Sequence, residues 1–174
     1  MVLATVGSGV YKLFLFLHIL CAIVGFGGVL LNGAYASQMQ KRPGPGGLAI
    51  SEANEFVSGR IAEMFIYAVF AFGLVTAIIG RPTIKFDQGW LSAAMGLYIV
   101  AVVISLVGLR PGHRKINALL REMIAGPAPT AGPPPQVAQV QALGKRQALF
   151  GGINSLLFLI ILFLMVVKPG GPAI

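Results

Sequence analysis

The stretch LFLFLHILCAIVGFGGVLLNGAYA, residues 13–36, carries no charge and is broken by one ionisable ring, His18. It outlasts the roughly 20 apolar residues that a hydrocarbon core demands, so it reads as a membrane-spanning helix. From His18 onward Ala22, Gly25, Val29, Asn32 and Ala36 recur at spacings of four and three residues, on one helical face. Most of those side chains are small, and a small-residue seam lets another helix approach closely. An ionisable group in hydrocarbon is costly, so the partner of His18 becomes the functional question.

Three further apolar runs lie downstream, and the four spans fall at about 10–36, 61–79, 90–109 and 148–167. Composition agrees. A chain of 174 residues with 56% hydrophobic and 10% charged residues lies outside the balance of a soluble globular domain. The expected fold is a single all-α domain, an integral membrane four-helix bundle of up-and-down topology with a short cytoplasmic amphipathic helix. The first run is too long for the apolar core of a signal peptide, and Lys12 alone precedes it as a charged flank, so it is expected to stay as a span.

The connections are read from their breakers and caps. Within loop 37–60 a Pro-Gly cluster, Pro43 to Gly47, is followed by Ser51 with Glu52 and Glu55, a pattern that predicts a helix start ahead of the second span. Arg81-Pro82 ends that span, and Trp90 is expected to anchor the third at the membrane interface. Arg110-Pro111-Gly112 is expected to close the third span. Residues 113–125 then place Ile116, Leu119, Leu120, Met123 and Ile124 on one side against Arg114, Lys115, Asn117 and Arg121, which predicts an amphipathic helix lying on the membrane surface. Residues 126–135 form a proline-rich connector; residues 136–147 extend the fourth helix, which Lys168-Pro169-Gly170-Gly171 terminates.

Orientation follows from the basic residues. Lys41, Arg42, Arg60, Arg110, Arg114, Lys115, Arg121, Lys145 and Arg146 lie on one side, and Lys12, Arg81, Lys85 and Lys168 on the other. The richer side faces the cytoplasm, which puts loops 37–60 and 110–147 inside and both termini outside a bacterial inner membrane. The formal charge of +8 is then a property of loops facing anionic lipid, and nucleic-acid binding is not expected.

Counting to the depth of His18 on the other helices reaches Gly73 and Thr76, Met95 and Tyr98, and Ile160. A neutral imidazole there has two readings. It can serve as an axial ligand to haem b, with His18, Ala22, Gly25, Met95 and Tyr98 making a face for a flat macrocycle. Alternatively it hydrogen-bonds Thr76, Tyr98 or a backbone carbonyl and holds the bundle together. The other histidine, His113, lies beyond the third span, so no second intramembrane histidine is present. Copper has Met95, Met165 and His18 as thinly spread candidates. Nearer the cytoplasm Gly28, Asn32, Glu63, Asn154 and Ser155 form a packing or polar cluster that suits interhelical hydrogen bonding better than transport. No hydrolase constellation and no paired carboxylates occur within the spans.

The string Tyr11-Lys12-Leu13-Phe14-Leu15-Phe16-Leu17-His18-Ile19-Leu20, with Ala22-Ile23-Val24 and Gly25-Phe26-Gly27-Gly28, resembles the first helix of a bacterial family of predicted integral membrane proteins classed as a domain of unknown function. Arg110-Pro111 and Met165-Val166-Val167-Lys168-Pro169 extend the likeness over nearly the whole chain. The leucine-histidine pair followed by a glycine pair is also similar to the first helix of copper-resistance D-type proteins and of J-type protoporphyrinogen oxidases. Those resemblances imply a haem or copper role for His18; the first implies architecture alone. The function expected first is a non-enzymatic subunit or accessory of a larger membrane complex, with a respiratory complex as one candidate, in contact with lipid and other membrane subunits. A haem-binding or redox protein is the rival, and copper or ion transport comes third.

Overall fold

The computed structural model describes residues 6–81, 83–127, 132 and 134–170. Four helices dominate: α1 (Gly9–Lys41), α2 (Pro45–Ile79), α3 (Gly89–Ala125) and α4 (Pro135–Val167), each long and apolar enough to cross a membrane. No strand occurs among the described residues. By length and composition this is a multi-pass, all-helical membrane protein. Helices of 33 to 37 residues measure about 50–55 Å, against roughly 30 Å of hydrocarbon, so each projects well beyond a bilayer. The turn at 42–44, the end of α3 and the start of α4 define a connector end of the bundle; the opposite, termini end holds the start of α1 and the end of α4.

Local chemistry sets the helix ends. Ser8 caps α1 by accepting from the Tyr11 N–H at 3.2 Å. Pro45 and Pro135 each sit in the first turn of their helix, where a missing N–H costs nothing. Lys168 closes α4 in the left-handed region at φ 47°, its N–H returning to Leu164 O. Residues 128–131 and 133 of the proline-rich connector, Pro82 and Gly171 lie outside the described residues.

Helix α1 packs along α2 as the sequence seam requires, in antiparallel register. A Cβ on Gly25 would sit 3.0 Å from Ile66 Cγ1, and one on Gly28 would sit 2.7 Å from Ala62 Cβ. Further along, the Ser58 hydroxyl donates to Asn32 Oδ1 at 2.6 Å. The partner of the seam is therefore α2 of the same chain. Ala36, the last residue of that spacing, is exposed. A second pair, α3 with α4, is held by Phe150 against Gly108 and by the Gln147 side chain on α3.

Three expectations change. The second helix begins at Pro45 rather than Ser51, because Gly44 at φ 75° turns the chain and the proline is preset for helix. Ser51 instead lies inside α2, where its hydroxyl donates to Asn117 Oδ1. Arg110-Pro111-Gly112 does not close α3. A π-helical segment, Ser105–Leu109, precedes it, with the Arg110 N–H reaching back to Ser105 O. The widened turn accommodates a proline that lacks the N–H and whose ring would collide with a regular preceding turn. Gly112 makes room: a Cβ there would overlap Gln147, whose Nε2 donates to Leu109 O at 2.9 Å. Residues 113–125 are accordingly the end of α3, not a separate surface helix. Their apolar side, Ile116 and Leu119, is buried against α2 and α4, and Asn117, expected on the polar side, is 1% exposed.

Candidate functional site

His18 projects from α1 onto α2, where its Nδ1 lies 2.8 Å from Val69 O. A carbonyl can only accept, so Nδ1 carries the proton and, in the neutral ring, Nε2 keeps its lone pair. Gly73 makes the contact possible. It stands one turn beyond Val69, and a Cβ on it would lie 2.8 Å from His18 Cε1 and 2.9 Å from Nδ1. The two other side-chain partners considered are engaged elsewhere: Thr76 Oγ1 donates to Phe72 O at 2.7 Å, and the Tyr98 hydroxyl donates to Ile66 O at 3.0 Å.

The ring borders a partly open cavity of about 530 Å³ in the half of the bundle nearer the termini. All four helices contribute to its wall, and the lining is almost wholly apolar. His18, Ala22, Met95 and Tyr98 of the expected macrocycle face all line it. Gly25 does not; it is buried beneath Ile66 and serves docking of α1 on α2. Tyr98 is held rigidly, its ring stacked on Phe70 at 5.1 Å between centroids. The volume falls within the roughly 300–1,000 Å³ of small-molecule clefts. Met165 lines the same space. Among the described residues no cluster of three or more His, Cys, Asp or Glu side chains could hold a metal ion by itself.

The expected polar cluster is divided by the fold. Asn32 joins Ser58, which lies 3.2 Å from Asn54 Oδ1 as well. Glu63 is turned away from that group: its Oε1 accepts from the Tyr67 hydroxyl at 2.7 Å and from Arg110 Nη1 at 3.2 Å. Asn154 stands alone, 0% exposed, with neither amide atom bonded among the described residues. Ser155 beside it is half-buried, and Gly28 belongs to the α1–α2 seam.

A network that was not foreseen joins α2 to α3 at the connector end. Asn117 accepts from Ser51 and donates to Glu55 Oε2, and Arg121 Nε donates to Glu52 Oε1 at 2.9 Å. Its signal was the alternation of Glu52 and Glu55 with Arg114 and Arg121 across two helices, which reads equally well as two solvated faces. Trp90 and Lys168, expected only as an anchor and a terminator, both line the cavity. Comparison with protein-family models, with curated proteins and with solved structures gave no match, so the site is interpreted from its own geometry.

Proposed function

We propose that this chain is a non-enzymatic membrane protein that binds haem b in the termini-side cavity, with His18 Nε2 as axial ligand. The observation that carries the reading is the tautomer: Nδ1 is tied to Val69 O, which leaves the ligating nitrogen of a neutral imidazole on the ring that borders an apolar, ligand-sized cavity. Ligating histidines commonly donate their other N–H to a backbone carbonyl, which orients the ring and raises its basicity. The residues fit the group: Ala22 leaves space beside His18, while Met95 and Met165 offer thioethers from other helices lining the same cavity. Haem, when bound, would supply one-electron chemistry. The protein's part is to hold the ring, exclude water by its apolar lining and fix the ligand's position through the stacked Tyr98.

This reading agrees with the resemblance of the first helix to the haem-associated protoporphyrinogen oxidases of the J type. A bacterial inner membrane with both termini outside suits the basic residues gathered at the connector end, and places the cavity in the outer half. The test is an absorption spectrum of the purified chain after haem supply, with and without His18→Ala. A Soret band that depends on His18 is expected; its absence, or its indifference to the substitution, overturns the proposal.

A role as a subunit of a larger membrane assembly is the second reading. Among the described residues Gly33, Gly151 and Gly152 meet nothing within 4 Å of a Cβ built on them, which leaves backbone faces for another helix. Partners that co-purify from native membranes and are lost with Gly152→Leu would support it; a solitary chain would count against it.

A further inference from the structure

The termini-side rim of the cavity gathers hydrogen-bond donors without acceptors. Trp90 is 6% exposed and lines the cavity, and its Nε1 has no hydrogen-bond partner among the described residues. An orphan buried donor is uncommon and asks for an acceptor. Lys168 lines the same space with its Nζ 5.8 Å from the centre of the Trp90 ring. Its αL backbone, at φ 47°, ends the helix on the rim. No salt bridge to Lys168 occurs among the described residues.

Phe86 continues the rim. It lines the cavity and also an adjoining recess formed with Arg81, Lys85 and Asp87, and the Arg81 guanidinium lies 5.0 Å from its ring centre. One cation, Lys168, thus lines a chamber whose interior is apolar, and Arg81, Lys85 and Asp87 line the recess that adjoins it at Phe86. The chemistry is that of a receptor for an apolar body with anionic ends.

We infer that this rim is a carboxylate site, with Lys168 Nζ and Trp90 Nε1–H as its donors, and that it grips the carboxylates of the apolar ligand whose body the cavity holds. The inference rests on the haem reading, since the two propionates of haem b would be those carboxylates. It adds a polar end to a site otherwise defined by His18 alone. A charge-assisted hydrogen bond shielded from water is strong enough that losing it weakens binding by about tenfold or more.

The test titrates haem and haem dimethyl ester, in which both carboxylates are masked, into the full chain in detergent micelles. The variants are Lys168→Met, which keeps the stem over Trp90 and removes the charge, and Trp90→Phe, which keeps the ring and removes the N–H. Each is expected to bind haem more weakly, by about tenfold for Lys168→Met, while binding of the ester stays as in the unaltered chain. Equal affinity of the unaltered chain for haem and ester, or equal loss for both in the variants, overturns the inference. Failure of the haem reading is separate: there His18→Ala leaves haem binding unchanged although the preference of the unaltered chain for haem over ester persists. Uptake of neither compound by the unaltered chain overturns both. Circular dichroism of each variant confirms that the helices are retained.

Discussion

At the scale of single residues, the position that most constrains His18 is a glycine on another helix. Any side chain at residue 73 pushes into the imidazole, because a Cβ there would lie 2.8 Å from Cε1. Gly73→Ala is expected to break the Nδ1–H bond to Val69 and to lower stability by about 1–3 kcal/mol, the usual consequence of a lost buried hydrogen bond with overpacking. Unfolding in mixed micelles reads the stability, and imidazole nitrogen chemical shifts read the released tautomer. Asn154 should behave in the opposite way. Among the described residues both of its amide atoms are buried without a partner, so Asn154→Leu is expected to raise stability by about 1–3 kcal/mol by removing that desolvation penalty. A fall in stability would show that the amide is paired in the membrane. The importance of His18 was legible in the sequence because residues 13–36 hold no Lys, Arg, Asp or Glu and no other histidine. Its partner was not, since a backbone carbonyl has no residue signature, and the depth count that reached Gly73 could not say which atom beside it would accept.

Between helices, the same distinction separates neighbouring glycines. Gly27 and Gly28 look equivalent in sequence, yet a Cβ on Gly28 would lie 2.7 Å from Ala62 Cβ while one on Gly27 meets nothing within 4 Å. Gly28→Ala is expected to pry α1 from α2 and destabilise by about 1–3 kcal/mol. Gly27→Ala should be neutral or stabilising by about 0.5–1 kcal/mol, because alanine is the better helix former. A paired unfolding measurement checks both, and equal effects would contradict this register. The seam was readable from its spacing because docking leaves a periodic trace of small residues. The path of α3 was not. Pro111 announces a break, and a π segment five residues long removes the need for one; beside it Gln147 of α4, 38 residues away in sequence, donates to the Leu109 carbonyl, a contact that no local pattern announces. Ser51 misled for a related reason: its hydroxyl suits a helix cap, but Asn117 on α3 offered it a partner in mid-helix.

For the molecule as a whole, the two ends of the bundle are built differently. The connector end is tied across α2 and α3 by Asn117 with Ser51 and Glu55 and by the Arg121–Glu52 pair, whereas the termini end encloses the apolar cavity. The Arg121–Glu52 pair is well exposed and by itself contributes little. Asn117, 1% exposed, is the part of the network that cannot be replaced by water. Asn117→Ala leaves the Glu55 and Ser51 groups short of a partner and is expected to lower stability by about 2–3 kcal/mol without altering haem affinity, since the cavity lies at the other end. Ligand binding should act on the complementary half. A ligand that binds only the folded chain stabilises it by about 2.7 kcal/mol at a hundredfold excess over its dissociation constant. That stabilisation reaches only those amides whose exchange passes through opening of the cavity. Hydrogen exchange of the haem-loaded chain is therefore expected to slow around His18, Val69, Trp90 and Met95 and to leave residues 51–55 and 114–121 unchanged. Uniform slowing along all four helices would mean that the bundle opens as one unit, and protection confined to the connector end would place the ligand outside the cavity.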